Sequence, residues 1–212
     1  MVNYLNVLKY PITNVKSFVI GALLTLFSIF FIPLLLVQGY VVKIIRETNK
    51  GSEFMPEWGE WKELLFDGFF VFAIEVTYLL PSLLFYIMAT LTTTQTLTST
   101  IASGNVFDVG ITAVALMIIS SIIMILALIM LPIAIVNYAL TKEFKNAFDV
   151  VSIVKTILIR PLTYVLTLAI SFAIMLCFLL TAPITSIVLG ALLFYPIIFT
   201  FRLVSEWFTE IH

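Results

Sequence analysis

Long stretches of this chain carry no charge, and nothing else constrains its fold so tightly. No Asp, Glu, Lys or Arg occurs from Ser17 to Val42, from Val109 to Thr141 or from Pro161 to Phe201, and Glu75 alone interrupts the stretch from Gly68 to Phe107. A helix crosses the hydrocarbon core of a bilayer with about 20 apolar residues. Each stretch is long enough for one crossing, and the last is long enough for two. Only 11% of the 212 residues are charged and 62% are hydrophobic, whereas an ordinary soluble domain is about 25% charged. The chain is therefore expected to be one all-α integral membrane domain over residues 1–212, a polytopic helical bundle.

Spans are expected at about 17–42, 68–89, 110–138, 162–180 and 184–201. Pro33, Pro132 and Pro196 are expected to kink helices rather than end them, because neighbouring helices can satisfy a freed carbonyl. The last two spans divide at Thr181-Ala182-Pro183. Thr90 to Asn105, rich in threonine, reads as an external loop. The run after Lys16 is too long for a signal-peptide core and lacks a small-x-small cleavage site.

Positive charge in short loops faces the cytoplasm. Lys43, Arg46, Lys50 and Lys62 lie in one inter-span segment, Lys142, Lys145, Lys155 and Arg160 in another, and Arg202 follows the last span. The C-terminus is then cytoplasmic and the location a cell membrane. Five spans put Lys9 and Lys16 outside, against this rule. The alternative is a re-entrant first segment, bent at Pro33, with four full spans.

Two short amphipathic surface helices are expected. In 143–159, Phe144, Ala147, Phe148, Val151, Val154 and Leu158 fall on one face, a pattern suited to the membrane interface. In 56–66, Trp58 and Trp61 serve as interfacial anchors, with Pro56 at a first helical position.

Gly39-Tyr40 followed by Lys43-x-x-Arg46, then Pro56-Glu57-Trp58, Trp61-x-x-Leu64-x-x-Asp67-Gly68 and Tyr78-Leu79-Leu80-Pro81, resembles a multi-pass membrane family of prokaryotes, archaeal members prominent, known as domain of unknown function 4013. The resemblance implies a membrane protein of several spans. It brings no catalytic or ligand residues with it.

Glu75 is the sharpest chemical feature. Eight positions after Asp67, it lies about 12 Å further along a helix, at a depth where ionisable groups are costly and face the bundle interior or a wet cavity. Tyr78, Ser82 and Tyr86 follow roughly on the same stripe. One reading makes these four an ion- or proton-binding path of a carrier. The other makes Glu75 an interhelical anchor, with Arg46, Arg160 or Arg202 as its charge partner. Glu60, Glu63 and Asp67 share a helix face that reads as solvated.

Enzyme chemistry is not expected. There is no nucleophile elbow, zinc-binding histidine pair, phosphate-binding glycine loop or Cys/His cluster. His212 is the one histidine and Cys177 the one cysteine, so neither a histidine-based site nor an intrachain disulfide is available. No metal or cofactor is implied. The net charge of −1 lacks the basic footprint of a nucleic-acid binder. The expected partners are the lipid bilayer and either further copies of the chain or another membrane protein. The expected role is a non-catalytic scaffold, accessory subunit or assembly factor, with a small oligomeric carrier or channel as the alternative.

Overall fold

The computed structural model describes residues 4–103, 110–181 and 189–211. Among them every regular element is helical: α1 (Tyr4–Lys9), a 3-10 turn (Tyr10–Ile12), α2 (Val15–Leu26), α3 (Phe31–Asn49), α4 (Trp61–Ser103), α5 (Gly110–Thr141), a second 3-10 turn (Phe144–Phe148), α6 (Val150–Ile159), α7 (Pro161–Thr181) and α8 (Leu189–Ile211). Three helical stretches are long and apolar enough to cross a membrane: Trp61–Thr94, Ile111–Thr141 and Pro161–Phe178.

The chain forms two compact units, Met1–Ile74 with Pro132–His212, and Glu75–Leu131. In the first unit, the expected single helix over 17–42 is instead a helical hairpin. The break at Phe27–Phe30 falls one turn before Pro33. That is where the proline acts: it has no N–H for the carbonyl of Ile29 and its ring crowds that carbonyl. Pro33 itself sits in the first turn of α3, where a missing N–H removes an otherwise orphaned donor. Ser28 helps the break by donating its hydroxyl to the Leu24 carbonyl at 3.0 Å.

The feet of the hairpin are tied together. Asn14 caps α2 by accepting from the Ser17 N–H, and its amide donates to the Met55 carbonyl at 3.4 Å. The Met55 N–H donates to Thr13 Oγ1 at 2.9 Å, and the Trp58 indole donates to the Ser17 carbonyl at 2.8 Å. The segment before α2 and the segment after α3 therefore lie side by side. Between the arms, α8 supplies the core: Tyr10, Tyr40, Ile44, Phe194 and Ile198 are buried together, with Phe18 and Trp58 against them. Gly21 faces the Phe194 ring so closely that any Cβ there would collide with it. Antiparallel to α8 runs α7, with Phe178 against Tyr195 (5.0 Å between ring centroids) and Tyr164 against Trp207 (4.8 Å).

The first arm of α4 meets α3 backbone to backbone. A Cβ on Gly39 would strike the Leu64 carbonyl, and one on Gly68 would strike the Leu35 carbonyl. The contact is reciprocal and antiparallel, and only glycine fits it.

In the second unit, α4 and α5 pack along small residues. Ala113, Ser120 and Ala127 of α5 are buried, as are Ser82 and Ala89 of α4. The spacing of seven keeps a seam on one side of each helix. Ser120 donates to the Ser82 carbonyl at 2.8 Å across it.

Three further expectations need correction. Thr90 to Ser103 is helical rather than a loop, while residues 104–105 lie outside the described residues. The hydroxyls of Thr90, Thr92, Thr93 and Thr94 donate to carbonyls three or four residues back, so the helix absorbs its own polarity. Residues 56–60 form no helix; Trp61 opens α4 directly. The segment 143–159 is broken at Asp149, whose side chain accepts from the Ser152 N–H at 3.0 Å and starts α6 afresh. Its buried residues are Ala147, Ile153 and Thr156, while Val151, Val154 and Leu158, expected on the face of Ala147, are exposed. Pro132 and Pro196 do lie inside helices, as does Pro81. Pro161 begins α7, and Pro183 lies outside the described residues.

Gly39→Ala and Gly68→Ala are each expected to cost about 3 kcal/mol, the upper end for overpacking, because the obstruction is backbone. Thermal unfolding in detergent should fall by several degrees for both. Gly59→Ala, where a Cβ meets nothing within 4 Å, should leave it unchanged. Equal behaviour of all three would mean the helices do not touch there.

Candidate functional site

A polar concave surface of the first unit lies where α3 ends, α4 begins and α5 ends. It is a cleft of about 260 Å³ lined by four cationic and four acidic side chains, among them Lys43, Arg46, Glu60, Glu63, Asp67 and Lys142. Arg46 organises it. Its guanidinium donates to Asp67 Oδ2 at 2.7 Å and Oδ1 at 3.2 Å, a bidentate pair. Its Nε donates to the Ala139 carbonyl at 2.7 Å. That carbonyl belongs to the last turn of α5, where acceptors lack helical partners and the helix dipole favours a cation. The Tyr138 hydroxyl donates to Asp67 Oδ1 at 2.9 Å. Asp67 is buried and thus holds α3 and α5 through one carboxylate.

Two backbone outliers frame the cleft. Among the described residues, Glu60 (φ 54°) and Lys142 (φ 57°) are the only non-glycine residues with positive φ. Lys142 reaches Glu63, which also lies 3.4 Å from Arg46. Glu60 lies 3.8 Å from Lys43. Glu63 and Asp67, expected on a solvated face, are taken up by the protein's own cations.

Arg202 anchors a second polar locus. It is buried, and it donates to Glu206 at 2.7 Å, Thr48 Oγ1 at 3.1 Å and the Ser52 carbonyl at 2.6 Å. Its guanidinium carbon sits 4.3 Å over the Tyr10 ring, a cation–π contact. Burial pushes the Tyr10 hydroxyl up to about 12, against the lowering effect of the nearby Arg202 charge. Arg160 lies 3.7 Å from Glu210. The three arginines named as partners for Glu75 thus each meet a different carboxylate.

Glu75 is half-buried on α4 within the span Trp61–Thr94. Its companions on the stripe separate. Ser82 and Tyr86 line a shallow groove of about 400 Å³ with Ser120, Ser121 and Met124, and neither Glu75 nor Tyr78 is part of that lining. Trp58 stacks flat on Tyr40 (4.0 Å, 6°) and packs against Trp61 at 5.7 Å; Trp61 is 45% exposed. Sequence reasoning missed the Arg46–Asp67–Tyr138 cluster and the glycine crossing. Arg46, Asp67 and Gly68 all stood in the resemblance motif, but their pairing needed the antiparallel register of α3 and α4.

Apolar helices of membrane-crossing length define a helical integral membrane protein. A family model described as protein of unknown function (DUF4013) matches residues 22–194. The chain belongs to that family. No curated protein and no solved structure matches it.

Removing one member of a buried ion pair leaves the other charge unpaired, at a cost of about 3–5 kcal/mol. Asp67→Ala is therefore expected to lower stability by roughly that amount, and Arg46→Met with Asp67→Leu to recover most of it. Lys142→Ala, at an exposed pair, should cost less than about 1 kcal/mol. Thermal unfolding of the purified variants measures all three. A double variant as unstable as Asp67→Ala would show that the pair is not what matters.

Proposed function

We propose that this protein is a non-catalytic membrane scaffold or accessory subunit that acts through lateral helix contacts. The observation that carries this reading is the bareness of its long helices. Only 17%, 11% and 17% of the most apolar windows of Trp61–Thr94, Ile111–Thr141 and Pro161–Phe178 are buried within the chain. Its polar clusters, meanwhile, are occupied by one another. The chain spends its polarity on holding helix ends and leaves apolar flanks for lipid, for further copies or for another membrane protein.

In this reading the α2–α3 hairpin is re-entrant, and α4, α5, α7 and α8 cross the cell membrane, with the C-terminus cytoplasmic. The hydrogen bonds that join Thr13 and Asn14 to Met55 support it. Lys9 and Lys16 then lie on the same side as Lys43 and Arg46, and the positive-inside rule is obeyed throughout.

The half-buried position of Glu75 within a span favours a second reading, a small oligomeric carrier. The two are separable. The scaffold reading expects purification in mild detergent, followed by native mass measurement, to return a fixed-stoichiometry complex. It also expects Glu75→Gln to change neither proton nor cation flux in proteoliposomes. A wild-type flux that disappears in a fully assembled Glu75→Gln variant would replace the scaffold with the carrier.

A further inference from the structure

The tip of the α2–α3 hairpin is a strongly exposed apolar feature of the first unit. Phe27, Ile29, Phe30 and Ile32 are 51%, 89%, 63% and 62% exposed. A patch of this kind does not stay in water. Nor is it long enough to reach the far side of a bilayer. The 12 residues of α2 rise about 18 Å, and the apolar part of α3 before Lys43 rises about as much. A hydrocarbon core is about 30 Å thick, so the tip stops near its middle.

Several of the polar groups of the turn are bonded within it. Backbone groups left unbonded in hydrocarbon are costly. Here the Phe27 N–H donates to the Leu23 carbonyl at 3.1 Å, the Ser28 N–H to Thr25 at 3.1 Å and the Phe30 N–H to Phe27 at 2.9 Å. The Ser28 hydroxyl is satisfied by Leu24, and Pro33 has no N–H to satisfy.

We propose that the hairpin is a one-leaflet wedge whose occupying ligand is the acyl-chain layer of the leaflet it enters. Two helices, each of about 80 Å² in cross-section for a diameter of about 10 Å, enlarge that leaflet and add nothing to the other. The protein therefore prefers membrane that is convex on the side of the hairpin's feet. This rests on the re-entrant reading above.

The test uses the full chain carrying Cys177→Ser, reconstituted in phosphatidylcholine vesicles. Lys50→Cys, at a side chain that is 68% exposed, reports orientation through a membrane-impermeant label. Small sonicated vesicles should turn the feet outward roughly threefold more often than large extruded ones, a population shift set by differential fit. Combining Phe27→Ala, Ile29→Ala and Phe30→Ala should cut that bias while helicity is unchanged. A bias absent in wild type, or untouched by trimming the tip, overturns the wedge. Depth is read separately from a spin label on Ile29→Cys. A label screened from aqueous quencher on both faces, with no orientation bias, defeats the wedge and leaves the re-entrant reading standing. A label quenched from the opposite face defeats both.

Discussion

Backbone touches backbone where α3 crosses α4, and the first unit takes its register from that contact. Leu64 lies against Gly39 and Leu35 against Gly68, so the helices run antiparallel with no side chain between them. The register then sets the charges. Lys43 comes level with Glu60, and Arg46, whose side chain leans toward its own helix N-terminus as all helical side chains do, reaches back to Asp67. A residue larger than glycine at either point would separate the axes and pull the guanidinium off its bidentate partner. The ion pair is thus a consequence of the glycines as much as a support for them. A buried pair is weak evidence for stability, because desolvation offsets much of the attraction. Its use here is in specifying which helix ends meet.

The two units solve the packing problem differently, for a reason that lies in the solvent. Between helices surrounded by lipid there is no hydrophobic driving force, since acyl chains are as apolar as leucine. The second unit accordingly packs through small residues, Ser82 and Ala89 against a seam of Ala113, Ser120 and Ala127, and leaves its large residues outward. In the first unit, aromatic rings interlock instead: Tyr40, Trp58 and Phe194 lie in mutual contact, and Gly21 makes room for the last of them. Serine and alanine allow close approach in the second unit, while the first combines the glycine crossing of α3 and α4 with interlocked rings.

What could be read from sequence follows the same division. Charge-free runs mark apolar helices because length and composition suffice; α5 and α7 lie near their expected places, whereas α4 runs from Trp61 to Ser103 instead of 68–89. The hairpin was legible only as an alternative. An apolar run with an internal proline fits either a kinked span or a return, and what distinguishes them, Asn14 and Thr13 bonding to Met55, joins residues 41 and 42 positions apart. Thr90–Ser103 misled because threonine looks polar in a sequence and becomes self-satisfied in a helix. Arg46 was named as a partner for Glu75 on depth alone, whereas α3–α4 register sent it to Asp67. The seven-residue spacing of small residues on α5 was present in the sequence and is the signal that would have found the seam.

The cleft also explains why two residues hold left-handed conformations that ordinarily favour glycine. Glu60 stands just before α4 and Lys142 just after α5, the latter with its N–H on the Tyr138 carbonyl at 2.8 Å, a helix-ending bond normally made by glycine. Each side chain carries the charge its helix end favours: acid at the positive start of α4, base at the negative finish of α5. Strain of about 1 kcal/mol per residue is offset in part by that match and by the facing charges of Lys43 and Glu63. Glycine would relieve the backbone but remove the charge that closes the cleft. The left-handed turns therefore keep opposite charges facing each other at one level, and the ends of three helices are held there.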